Sequence, residues 1–154
     1  MAVEKEALRL RTLADGSVMV EGERGAARLG RVAPGVVLYD CSGVLSASFY
    51  EPMLAVAATE LAGVGSLVMF VDGWDLRSVD TGFREQWTEW FKAHKQEFHM
   101  RLLVRSKLMD MAASLANLFT GVSVIKSYSS VATWEDACRS DHPPFRRSVK
   151  ATGS

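Results

Sequence analysis

The sequence predicts an α/β fold of the sandwich kind, a central mixed β-sheet carrying about four α-helices. Leu8, Leu10 and Thr12 alternate with Arg9 and Arg11, and Val18 and Val20 alternate with Met19 and Glu21 beyond the turn at Asp15 and Gly16. That pattern is a short antiparallel pair with one face buried. Val36–Tyr39 and Leu67–Val71 are continuous apolar runs, as strands covered on both faces require. A helical pattern separates the two runs, and strand and helix patterns go on alternating to about Cys138, the order that builds a largely parallel sheet.

Each element has its own local cause. Glu23–Pro34 is rich in Gly, Ala and Arg without clear period and reads as a loop or an irregular edge strand. Ser48 and Glu51 have capping-box spacing, and Pro52 falls in the first turn, where its missing N–H costs nothing. The helix they open should run from Phe49 to about Ala62, with Gly63 as its left-handed cap. Together with the two apolar runs it makes a right-handed βαβ unit.

Phe83, Trp87, Trp90, Phe91 and His94 recur on one face of a second helix. Leu102–Val104 is a third strand, and Ser106 caps a helix on which Leu108, Met111, Ala112, Leu115 and Phe119 share a face before Gly121. Val122, Val124 and Ile125 supply a fourth strand of the alternating part, and Ser129 or Ser130 opens a last helix through Trp134 to about Cys138. Residues 1–139 are thus expected to form one domain, and 140–154, with Pro143, Pro144, Arg146, Arg147 and Lys150, a mobile tail.

Composition excludes several functions. With 154 residues, 18 basic and 18 acidic, the formal net charge is zero, so no global field attracts nucleic acid. No apolar run approaches the roughly 18 residues of a membrane span, and the charged N-terminus lacks a signal-peptide core. A cytoplasmic protein is expected. Cys41 and Cys138 stand far apart with no CxxC, which leaves neither a zinc knuckle nor a redox pair; both read as small buried hydrophobes.

Three phrases carry a family likeness: Val37–Phe49 (VLYDCSGVLSASF), Val68–Gly82 (VMFVDGWDLRSVDTG) and Arg101–Gly121 (RLLVRSKLMDMAASLANLFTG). With the order of elements they resemble the STAS domain superfamily, in particular the SpoIIAA-like, STAS/SEC14-related bacterial proteins, over about Gly35 to Cys138. The resemblance implies a non-enzymatic regulatory domain that works by protein contact, as anti-anti-sigma factors do. In those proteins a Ser or Thr in an Asp-Ser-Ser-Gly-type loop before the second helix is phosphorylated by a partner kinase. The matching residues here are Asp80, Thr81 and Gly82, one hydroxyl residue short.

Thr81 is therefore the candidate phospho-switch. A phosphate at a helix start meets free N–H groups and the positive dipole end, while adding about 1.5–2 negative charges. The plain alternative is that Asp80 or Thr81 is only an N-cap. Trp74, Asp75, Asp80, Thr81, Phe83, Trp87 and Trp90 make the candidate partner interface, for a homodimer or a hetero-complex, because aromatic residues crowd this stretch. The same aromatics also suit a core, or a pocket for a lipid or other apolar small molecule of about 300–1,000 Å³. Arg105, Ser106 and Lys107 at a strand-to-helix junction form a candidate anion site, unless the bases pair with Asp75 or Asp110. No cofactor or metal is expected. Asp72, Asp75 and Asp80 lack EF-hand spacing, His94 and His99 cannot share one helical face, and no phosphate-binding glycine motif occurs.

Overall fold

In a computed structural model, which describes residues 6–105 and 124–147, seven strands form one mixed sheet whose spatial order follows the chain. β1 (Arg9–Thr12), β2 (Val18–Glu21), β3 (Gly25–Ala33) and β4 (Val36–Leu45) are antiparallel neighbours. β5 (Leu67–Val79), β6 (Phe98–Val104) and β7 (Ile125–Tyr128) continue it in parallel with β4. Three α-helices occur among the described residues: α1 (Tyr50–Val64), α2 (Thr81–Ala93) and α3 (Val131–Asp141). The helix expected from Ser106 lies outside the described residues, as do Lys107 and Val122.

The segment 23–34 is neither loop nor edge. Most of it is β3, paired on one side with β2 and on the other with β4 from Gly25↔Gly43 to Ala33↔Val36. Its inward positions include Ala27 and Leu29, both buried, and so small an inward residue as Ala27 weakens the hydrophobic alternation that would mark a strand. Small residues are needed where the ladder closes. Gly43 has φ +71°, and a Cβ there would lie 2.2 Å from the Arg24 carbonyl oxygen.

The first helix starts one residue late and ends two residues late. Gly65, with φ +88°, is its left-handed cap and donates its N–H to Leu61 O at 2.7 Å. The expected capping box does not form, because the Ser48 hydroxyl accepts the Glu6 N–H at 2.9 Å and a 3₁₀ turn, Ala47–Phe49, precedes the helix. β5 is also far longer than its apolar run. Asp72–Val79, beyond the apolar run, continues the strand to the Leu45↔Val79 pair through two register shifts against β4. Gly73 permits the passage beside β6, since a Cβ there would lie 2.7 Å from the Leu103 carbonyl oxygen.

The two faces of the sheet have separate cores. β4–α1–β5 and β5–α2–β6 step in the same direction, so right-handed crossovers bring both helices to one face. There Met53, Ala57, Phe83 and Trp87 join Val37, Tyr39, Met69 and Met100 in one cluster. On the other face Phe70 and Leu103 pack with Trp134, Cys138 and Phe145. The expected mobile tail is accordingly corrected for its first part. α3 runs to Asp141, and Phe145 beyond it is 1% exposed, in edge contact with Phe70 and Trp134.

A polar clamp docks α3 on the sheet. The Arg101 guanidinium of β6 donates to both Asp141 carboxylate oxygens and to the Tyr128 hydroxyl, and His99 Nε2 lies 3.2 Å from Asp141. The hydrogen bond from Arg101, with a smaller contribution from His99, holds the Asp141 carboxyl below its ordinary value. A carboxylate depressed in the folded state contributes stability above its unfolded pKa, here the ordinary 3.8, and loses it as pH falls through the lower folded value. The fall in melting temperature between about pH 5 and about pH 2.5 should therefore be smaller in Asp141→Asn than in the wild type. Equal falls would show that the clamp contributes nothing through this titration.

Candidate functional site

The site is built around one carboxylate. Asp80 follows β5 in an extended conformation, and its Oδ1 accepts the Phe83 N–H at 2.8 Å as N-cap of α2. Its Oδ2 accepts the Ala47 N–H at 3.1 Å, at the start of the 3₁₀ turn that leads into α1. The Asp80 N–H in turn donates to Leu45 O at the end of β4. Two helix entrances are thus tied side by side at the carboxyl ends of adjacent parallel strands. That is where open α/β sheets place their binding surfaces.

Thr81 is the first residue of α2 and is exposed. Its Oγ1 lies 3.4 Å from Arg84 Nη2, the donor of that hydrogen bond. The cap itself is supplied by Asp80, so the Thr81 hydroxyl is not consumed by the helix start. Next to it lies an open groove of about 570 Å³, with Leu8, Leu10 and Pro52 as apolar lining and Asp80, Glu51 and Glu85 among its acidic groups. Leu10, 54% exposed, is one of two large hydrophobic side chains left open to solvent among the described residues. Glu6 also lines it, its carboxylate accepting the Glu23 N–H and the Ser46 hydroxyl. Glu6, Ser46 and Ala47 were invisible as site residues. Their roles rest on contacts across 33 and 40 positions, which no local pattern records.

The aromatic stretch is divided by the sheet. Phe83, Trp87 and Trp90 are 9%, 5% and 9% exposed and belong to the α1/α2 core. Trp87 stacks on Phe91 at 5.5 Å and meets Tyr50 edge-on at 5.1 Å, while Trp90 stacks on His94 at 4.3 Å. Trp74 is partly buried against the opposite cluster, which holds Phe70 and Trp134. The seven residues expected as one interface do not share one surface: Phe83, Trp87 and Trp90 lie in the core, because a helix lying on a sheet needs large apolar groups. Trp74 and Asp75 belong elsewhere, and Asp80 and Thr81 remain at the helix entrance.

The other candidates resolve into structural pairs. Arg105 lies over the Trp74 ring at 4.7 Å, donates to Trp74 O and reaches Asp75 Oδ1 at 3.2 Å. Its charge is thus engaged by Asp75, the pairing that weakens the anion-site reading, and Ser106 and Lys107 lie outside the described residues. Asp72 is 1% exposed and pairs with Arg147, His94 Nδ1–H donates to Trp90 O, and His99 faces Asp141. Among the described residues no three His, Cys, Asp or Glu side chains gather as a metal site would need. Cys41 and Cys138 are both buried and unbridged, and burial pushes the Cys138 thiol up to about 12, away from reactivity.

An apolar cavity of about 110 Å³ lies between α2 and the sheet, lined by Tyr39, Cys41, Met53, Met69, Phe83 and Trp87 with neighbouring residues. It is well below the 300–1,000 Å³ expected of a lipid or drug-sized site.

No family model and no curated protein matches the sequence. A solved structure matches the fold. A protein of the DUF3478 family from Shewanella loihica, described as having a SpoIIAA-like fold, superposes with a TM-score of 0.55, covering 89% of this chain and 98% of its own. The fold is SpoIIAA-like. At 17% identity the likeness establishes the fold alone, in agreement with the resemblance of the three sequence phrases. No helix among the described residues is long and apolar enough to cross a membrane.

Proposed function

We propose that this chain is a non-enzymatic, cytoplasmic regulatory domain that binds a protein partner at the paired helix entrances, with phosphorylation of Thr81 as its control. The observation that carries the reading is the division of labour at that place. Asp80 caps α2 and holds the 3₁₀ turn, which leaves the Thr81 hydroxyl exposed beside a groove with Leu10 open to solvent. A phosphate on Thr81 would meet the positive end of α2 and the nearby Arg84 guanidinium, so the fold should tolerate it. It would also add charge beside Asp80 and Glu85, against any partner that docks by apolar contact. The engagement of Asp72, Asp75, His94 and His99 in structural pairs supports a binding role over a catalytic one.

Binding should respond to charge at residue 81. Immobilised wild type, Thr81→Ala and Thr81→Glu chains can be compared for the host proteins each retains, measured by quantitative mass spectrometry. A partner held by the wild type and by Thr81→Ala should fall roughly tenfold on Thr81→Glu, equivalent to about 1.4 kcal/mol, with melting temperatures nearly unchanged. A phosphopeptide covering Thr81 should be present in host cells. Identical retention on all three chains, with no such phosphopeptide, would reduce Thr81 to a plain first residue of a helix.

The 110 Å³ cavity favours a second reading, an apolar small molecule between α2 and the sheet. Its size suits a compact ligand; a dry engineered cavity of about 150 Å³ takes benzene. Native mass spectrometry of the host protein would reveal such a ligand as an added mass.

A further inference from the structure

We infer that the face carrying Asp72 is a docking site for an aromatic-x-arginine segment, occupied in cis by residues 142–147 and open to the same segment of a second copy of this chain. The contact is separate from the helix entrances proposed above as the partner surface.

The segment is held by two side chains. Phe145 sits in an apolar socket, 4.9 Å from Phe70 and 5.5 Å from Trp134 by ring centroids. Two positions on, Arg147 donates from Nε to Asp72 Oδ2 at 2.7 Å and from Nη2 to Oδ1 at 3.4 Å. Arg146 between them is exposed, so the anchors are spaced as alternate residues of an extended peptide. The acidic end is more than one carboxylate. Asp40 lies opposite Asp72 in the β4–β5 register, and Asp40 and Asp75 both act electrostatically on Arg147. A guanidinium matches such a site in charge and in its two-pronged geometry.

The backbone permits release. Among the described residues its own hydrogen bonds are local, from the His142 N–H to Cys138 O and from the Phe145 N–H to His142 O. Pro143 and Pro144 are exposed and have no N–H to lose. Detachment therefore breaks no sheet hydrogen bond of this segment, and re-docking on another copy restores the same two anchors. That equivalence of cis and trans contacts is the condition for exchange of an element between copies. The occupant whose fit is already demonstrated is this chain's own segment, which is why a second copy is the partner assigned.

Complementary full-length variants test it. Phe145→Ala/Arg147→Ala keeps the site and loses the segment; Asp72→Asn keeps the segment and weakens the site. Each alone should sediment as a monomer, and the mixture should form a heterodimer by analytical ultracentrifugation. A labelled peptide of residues 142–147 should bind Phe145→Ala/Arg147→Ala roughly tenfold tighter than it binds the wild type, whose own segment competes. Should the double variant fail to fold, Arg147→Ala alone takes its place and should show a smaller gain in the same direction. Folded variants that neither associate on mixing nor gain peptide affinity would overturn the inference.

Discussion

Trp87→Ala should lower the unfolding free energy by about 3–5 kcal/mol, the cost of emptying a buried aromatic site. For a chain of this size that is a fall in melting temperature of roughly 6–20 °C. The indole is 5% exposed, stacked on Phe91 and edge-on to Tyr50, and its removal would enlarge a cavity that it already lines. The surroundings have little freedom to collapse, because Phe91 is itself stacked on Phe98 at 5.0 Å. Trp74→Ala should cost less than half as much. Trp74 is only half-buried, and its contact with Arg105 lies at the exposed rim, where such a pair contributes about 0.5–1 kcal/mol. Thermal and urea melts of the two variants check this directly. A Trp87→Ala chain as stable as the wild type would mean that the indole is not core and would return it to the list of interface anchors.

Trp134→Ala should be as costly, about 3–5 kcal/mol, for a different combination of reasons. Trp134 is fully buried on the opposite face, forms one wall of the Phe145 socket, and donates its Nε1–H to Arg101 O at 3.0 Å. Trp134→Phe separates the two contributions. It keeps most of the ring and leaves the Arg101 carbonyl without this donor, a loss of about 1–3 kcal/mol when the group stays buried. The denaturant midpoint should therefore fall in the order wild type, Trp134→Phe, Trp134→Ala. Both variants should also speed hydrogen exchange at the Phe145 amide, since the socket loosens with its wall. Faster exchange at Phe145 without loss of global stability would place Trp134 in the C-terminal contact alone and outside the main core.

The parts of this fold legible in the sequence are those decided by neighbours along the chain. The β4–α1–β5 unit follows from two apolar runs flanking a helical pattern, and the second helix follows from aromatic residues repeating at its period. The start of α2 at Asp80 and Thr81 was equally local, because a cap acts across three residues. Even the SpoIIAA-like order of elements is a consequence of such patterns taken in sequence.

What the sequence could not decide is which local options the tertiary structure would use. β3 carries an alternation weakened by Ala27, and only its position between β2 and β4 makes it a strand. Ser48 had a perfectly spaced Glu51, yet its hydroxyl serves Glu6, which is distant in sequence and adjacent in space. The aromatic stretch Trp74–Phe98 was readable as core, as a partner surface or as the lining of a pocket. The sheet passes through it, placing Trp74 on one face and Trp87 on the other, because β5 runs on beyond its apolar run and carries Trp74 on the Phe70 face. Asp72 is a buried carboxylate answered by Arg147 from 75 positions away. Capping, periodicity and turns are free energies of a few adjacent residues and survive in any context. Burial and charge pairing belong to whichever residues the assembled sheet brings together, and they came into existence only with the fold.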